Sequence, residues 1–151
     1  MQPPRSARGI SRRITKAVES VLYDYPSIKA QLRLREQWIE SRCAGGAGDI
    51  ILIENRSTGP QAAVQERTVF RKEKDPTYLL LSAKANVVAE AYNTLPEALK
   101  GIVRQYYWEQ KDREEIQAAE AISEREFYKR RRQAVERVAP FVLGPWGIAC
   151  D

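Results

Sequence analysis

A chain of 151 residues, 43% hydrophobic and 30% charged, can bury one ordinary core or two small ones. Lysine and arginine outnumber aspartate and glutamate by 25 to 20, a formal charge of +5, which favours a polyanionic partner only if the excess is clustered. The absence of histidine removes the usual general base at neutral pH and the commonest zinc ligand, and with them much of enzymology.

The opening MQPPRSARG is basic, but amphipathic sequence follows it, so neither a signal peptide nor a membrane span is read there. Residues 1–43 then form the first predicted region, a long helical arm. Ile14, Val18, Val21, Leu22, Tyr25, Ile28, Leu32 and Ile39 recur mostly at spacings of three and four, which makes one apolar stripe. Pro26 removes a backbone donor and predicts a kink or break around Tyr25. Lys29, Arg33, Arg35 and Glu36 fall largely on the other side and read as a solvated face.

Residues 44–74 read as a flexible linker or a small hairpin, through "AGGAGD", the short apolar run "IILIE" and "NRSTGPQ". The GGAG cluster precedes the apolar run instead of following it, and no GxGxxG or GxxxxGK[ST] pattern is present, so a phosphate cradle is not expected. Cys43 and Cys150 lie far apart without CxxC spacing, which fits free thiols and leaves a disulfide between them open.

Residues 75–151 are predicted to form the main helical domain. Asp75 is placed to cap a helix with Pro76 at its first position, and Leu79, Leu80, Ala83, Val87, Val88 and Ala91 are its expected buried side. Three further helix starts carry a cap residue and a glutamate three positions on: Thr94 with Glu97, Asp112 with Glu115, and Ser123 with Glu126. The first predicts a helix to about Lys111, burying Leu95, Leu99, Ile102 or Val103, and Tyr106, and weakened by Gly101. The second opens a short helix ending by Ala121, and the third opens a longer one, the pair spanning 112–139. Ile116 and Ile122 are the residues the pair would bury; Phe127, Ala134, Val135, Val138 and Val142 continue the stripe until Pro140 bends or ends it.

At about 100° per residue, with Phe127 pointing inward, Arg125, Lys129, Arg132 and Glu136 fall on the opposite side of the last helix, with Tyr128 beside them. Arg130 and Arg131 fall nearer the packed boundary. A short helix, a tight turn and a longer helix with a cationic leading end make a helix-turn-helix, whose second helix enters the major groove. On that reading Arg125, Tyr128, Lys129 and Arg132 are the candidate base or near-base contacts, since the arginine fork matches the O6 and N7 acceptors of guanine. Arg130, Arg131 and Arg137 are assigned to phosphates or to structure, and Ser123 to its cap. Basic helical runs are more often solvated faces, so it is the combination of caps, turn and clustered charge that points to DNA. Glu114 and Glu115 are explained by the helix start, and no enzyme, metal or cofactor is expected.

The segment "EEIQAAEAISEREFYKRRRQAVERV" resembles the helix-turn-helix of sigma-70 region 4, in which a short EEIA-type helix, a Gly-Ile-Ser turn and an Arg-rich helix follow one another. "VLYDYPSIKAQLRLREQWI" resembles the "LYDY" arm of RinA/ArpU-type late transcriptional activators of bacteriophages. "DPTYLLL" sits where that group carries a Ser-Pro-Thr helix start, "LPEALKGIVRQYYWEQK" is similar to its LPEE-containing YW helix, and "ISEREFYKRRR" to its recognition helix. The likeness spans most of residues 15–143. This chain departs from it at Gln117, at Glu120, where leucine is usual, and at Ala121, which replaces a glycine or asparagine. Glu120 at an inward position requires a partner such as an arginine, or a rotation that packs Ala118 and Ala119 instead.

The resemblance implies an all-α fold and a sequence-specific phage regulator that activates late genes in the cytoplasm of a bacterial host. Its implied partners are double-stranded promoter DNA and host RNA polymerase, with no membrane, and the arm supplies either packing for the DNA-binding unit or a homodimer interface. Two other readings stay open at this point: a small terminase subunit recognising packaging DNA, and a helical adaptor whose cations are only surface.

Overall fold

The computed structural model describes residues 11–44 and 60–147, and every regular element among them is helical, as the periodicity predicts. In chain order these are α1 (Arg12–Ala44), α2 (Pro60–Lys74), α3 (Pro76–Asn93), α4 (Glu97–Ile102), a π-helical segment (Val103–Trp108) that continues α4 directly, α5 (Arg113–Glu120) and α6 (Glu124–Gly147). Among the described residues no helix is long and apolar enough to cross a membrane.

The linker expected at 44–74 is corrected over its second half. Residues 60–74 form α2, because Pro60 stands at the first helical position, where its missing donor is harmless, and no glycine or proline follows it. "AGGAGD" beyond Ala44, "IILIE" and "NRSTG" lie outside the described residues, as does Cys150. Cys43 is buried and free.

The helices group into two compact units that differ from the sequence-based division. One combines Met1–Pro26 with Asn86–Asp151, and the other is Ser27–Ala85. The arm at 1–43 is therefore not a separate region, since its first half shares a core with the C-terminal helices. Pro26 marks the unit boundary yet does not end α1, which is helical on both sides of it.

The core of the first unit is built from Val18 and Leu22 of α1, Val88 and Ala91 of α3, Leu95, Leu99, Val103 and Tyr107 around α4, and Ala134, Val135 and Val138 of α6. A satellite cluster of Ile102, Ile116 and Phe127 joins α4, α5 and α6. Burying one large apolar side chain contributes about 1.5–3 kcal/mol, so these residues dominate the stability of the unit. Three consecutive aromatics in the π-helical segment each pack against different neighbours. Tyr106 packs edge-on against Phe127 at 5.5 Å between centroids, Tyr107 against Tyr23 at 4.9 Å, and Trp108 lies 4.8 Å from Tyr25 and 4.7 Å from Tyr92.

The second unit is held by a small polar cluster. The Arg35 guanidinium meets the Asp75 carboxylate at 2.6–3.2 Å, and Asp75 Oδ1 accepts from the Tyr78 amide at 2.7 Å, the predicted cap of α3. Hydrogen bonding from Arg35, then from the Tyr78 amide, holds the Asp75 carboxyl below its ordinary value. The buried stripe of α3 runs through Ala85, Val88 and Ala91, with Tyr78 and Leu81 half-buried. Leu79 and Leu80, expected inside, are 47% and 57% exposed. The Tyr78 hydroxyl donates to Glu36 Oε1 at 3.2 Å, which holds the Tyr78 side of the helix, with Leu81 and Ala85, inward and leaves the leucine pair outside.

Two local expectations at helix ends are also corrected. Pro96, not Thr94, is the N-cap of α4, and Thr94 Oγ1 instead donates to the Ala91 carbonyl at 2.7 Å, closing α3. α6 runs through Pro140 and breaks at Gly144, whose φ of 54° and ψ of −170° suit only a residue without a Cβ.

Candidate functional site

α5, the turn and α6 create the surface on which the clustered charge sits. Asp112 is the N-cap of α5, with extended backbone but no side-chain cap bond, so the second capping signature fixes the place of the helix without its hydrogen bond. α5 ends at Glu120 because Ala121 adopts a left-handed conformation (φ 51°, ψ 48°), and the Ala121 and Ile122 amides both close back onto the Gln117 carbonyl. That geometry costs a non-glycine residue about 1–2 kcal/mol. The chain then turns directly into Ser123, whose Oγ accepts from the Glu126 amide at 3.1 Å. Only this half of the expected box forms. The Glu126 carboxylate turns along α6 to Arg130 Nε at 3.1 Å and Lys129 Nζ at 4.0 Å.

Glu120 is accommodated by an amide, not by an arginine. Its Oε1 accepts from Gln105 Nε2 at 2.7 Å and lies over Gly101, where a Cβ would stand only 2.9 Å away. The glycine that weakens α4 thus makes room for the carboxylate of α5.

With Phe127 buried against Ile102 and Ile116, the leading turns of α6 direct their cations to solvent. Tyr128 is 46% exposed, and the side chains of Lys129 and Arg132 are 56% and 72% exposed; Arg125 is also exposed. These four, with Ser123 and Glu126, line one open concavity of about 760 Å³. The ion pairs of Lys129 with Glu126 (4.0 Å) and of Arg132 with Glu136 (3.9 Å) are long and solvent-facing, so they do little to hold either cation.

Arg130 and Arg131 are placed differently. Arg130 lies along α6 against Glu126. Arg131 turns back into the unit, where its Nε and terminal nitrogen donate to Glu19 Oε1 at 2.9 and 2.7 Å and its guanidinium lies 4.8 Å from the Tyr106 ring centre. Tyr107, fully buried, donates its hydroxyl to the same Glu19 oxygen at 2.7 Å. Burial, then the bond to Glu19, pushes the Tyr107 phenol far up. Burial alone would lower Arg131, but its bonds to Tyr107 and Glu19 outweigh it and raise the guanidinium above its ordinary value. Tyr23, beside them, is pushed up to about 12, first by burial and then by Tyr106.

Sequence reasoning thus gathers Ser123, Arg125, Tyr128, Lys129 and Arg132 on one face, while Arg130 and Arg131 belong to side-chain pairs. It misses Glu19, Gln105 and Tyr107. It also misses Arg113, which bridges the turn by donating to Glu124 Oε1 at 2.7 Å and to the Tyr128 hydroxyl at 3.0 Å. A cation in the first turn of α5, eleven residues before an acid at the start of α6, was the available signal for Arg113. No spacing signals the pairing of Glu19 with Arg131.

Among the described residues no group of three or more histidine, cysteine, aspartate or glutamate side chains is arranged to hold a metal. No curated protein and no solved structure matches the chain. A family model does, over residues 14–140, which takes in α1 from Ile14 onward, the α5–α6 turn and the Glu19–Arg131 contact; the chain therefore belongs to the family described as "Protein of unknown function (DUF722)".

Proposed function

We propose that this protein binds duplex DNA sequence-specifically through α5 and α6 and regulates transcription in the manner of phage late activators. The observation that carries the reading is the exposed row Arg125, Tyr128, Lys129 and Arg132 on the leading turns of α6, projecting from a helix anchored by Phe127. In a helix-turn-helix those turns enter the major groove while the preceding helix crosses the backbone. Arg125, Lys129 and Arg132 reach base edges, and Tyr128, steadied by Arg113, adds a contact at the groove wall. Arg130 reaches a phosphate by exchanging Glu126 for it. Arg131 is retained inside by Glu19 and sets the seat of the helix. Activation, in preference to repression, and contact with RNA polymerase rest on the resemblance of the sequence to late activators.

The test begins with selection from a random duplex pool, followed by anisotropy titration of the recovered site and a scrambled control. Arg132→Ala should weaken binding to the selected site by about 5- to 150-fold, equivalent to about 1–3 kcal/mol, and change binding to the scrambled duplex much less. Arg130→Ala should lower both affinities together. Equal losses on both duplexes for both variants would remove this division of roles. Absence of salt-sensitive binding to any duplex would leave a helical adaptor. A closed ring of many subunits by light scattering would move the reading to packaging DNA.

A further inference from the structure

The concavity on the leading turns of α6 does not stop at that helix. A second hollow of about 280 Å³ shares Tyr128 and Arg132 with it and extends to Thr15 and Glu19 on α1. Both carboxylates of this second hollow have a cation near them, Glu19 closely and Glu136 loosely. Glu19 is taken by Arg131 and Tyr107, and Glu136 faces Arg132 at 3.9 Å. On α1, Arg12 lies within about 20° of Glu19 around the helix axis, two turns nearer the amino end, and Lys16 directly follows Thr15. Both are exposed, the first turn of α1 contains no acidic residue, and neither cation has an ion pair among the described residues.

We infer that Arg12 and Lys16 form a second contact of the DNA-binding face, directed at the sugar-phosphate backbone of the same duplex that α6 reads. The inference rests on the proposed function and names a part of the interface that the helix-turn-helix alone does not contain. Its physical basis is continuity. A duplex seated on Arg125, Lys129 and Arg132 presents a phosphate row beside the groove, and the track that begins at Ser123 leads past Arg132 to the turn carrying Thr15. Compact lysine and forked arginine groups on flexible stems suit phosphate, which fixes register and orientation without reading sequence. The Glu19–Arg131 pair thereby acquires a second effect, because it ties the turn bearing this contact to the helix that reads bases.

The test compares the full chain with Arg12→Gln/Lys16→Gln and with a control, Arg33→Gln/Lys84→Gln, which removes the same formal charge from exposed positions of the other unit. Each is titrated with the selected and the scrambled duplex over a range of salt concentrations. The first variant should lower the slope of log affinity against log salt by about 2, since each phosphate contact to B-form DNA accounts for about 0.9. It should weaken both duplexes by the same factor, and the control should stay close to wild type. Phosphate-ethylation interference on the wild-type complex should show a group of phosphates that disappears with Arg12→Gln/Lys16→Gln. An unchanged slope and interference pattern, or an equal fall in the control, would overturn the inference while leaving the α6 reader standing. Failure of the wild type to bind any duplex would remove both.

Discussion

Glu120 stands one turn after the buried Ile116 on α5, and it is tolerated because residue 101 has no side chain and residue 105 has an amide. Glu120→Ala would leave Gln105 Nε2 without its acceptor in a buried position and should lower stability by about 1–3 kcal/mol in urea unfolding. Gly101→Ala on its own sets a gain in helix propensity of about 1 kcal/mol against a clash with the carboxylate. In the Glu120→Ala background the clash is gone, and the same change should stabilise. The double-mutant cycle therefore carries a coupling energy, and strict additivity would show that the two residues do not meet. Arg131→Met leaves the mostly buried Glu19 without its cation. With both side chains partly open to water, the loss should be about 1–3 kcal/mol, below that of a fully buried pair, and should be read in the same unfolding experiment. The exposed residues of α6 were legible because helical geometry alone sets which side of the helix they occupy once Phe127 is inward. Arg131 was legible only as a boundary residue, since its acceptor stands 112 positions earlier and no local pattern announces it.

Caps and turns behave as elements with their own stability. Ala121→Gly removes the left-handed penalty at the α5–α6 turn and should raise stability by about 0.5–1 kcal/mol, net of the added freedom of the unfolded chain; a fall in melting temperature would show that the turn is held differently. The Asp75 cap gives the second unit a pH dependence with a defined sign. A carboxyl whose folded value lies below its ordinary 3.8 stabilises fully above 3.8, and that contribution is lost as pH falls through the lowered folded value. Asp75→Asn should therefore melt below wild type near neutrality and converge with it in acid, as thermal melts along a pH series would record; a constant gap would exclude the linkage. Of the predicted cap bonds, those of Asp75 and Ser123 form as expected, whereas Thr94 and Asp112 make none. The spacing of a cap signature is local, but the backbone position it requires is not, and Pro96 took the N-cap place that Thr94 needed. The stripe of α3 is hidden for a related reason: a run of three leucines offers several faces, and the bond from the Tyr78 hydroxyl to Glu36 chooses among them.

At the scale of the whole molecule, helix content was legible from apolar periodicity, but the grouping of helices was not. Composition marks the glycine-rich stretch after Ala44 as a divide, while packing joins α1 up to Pro26 with everything after Asn86. Shape and charge along α1 say nothing about which later helix will cover Val18 and Leu22. A fragment covering residues 86–147 keeps the complete helix-turn-helix yet lacks these two side chains and Glu19. It should lose its near-ultraviolet circular dichroism while retaining helical far-ultraviolet signal, and its affinity for a selected duplex should fall far more than Arg12→Gln/Lys16→Gln lowers it. A fragment that melted cooperatively and bound like the intact chain would show that α1 is dispensable. The discontinuity also orders events at the ribosome. α1 leaves the exit tunnel with its apolar side bare and waits there until α6 follows, so the core of the first unit closes only once α6 has been made, and products stopped before α6 offer chaperones and proteases a target.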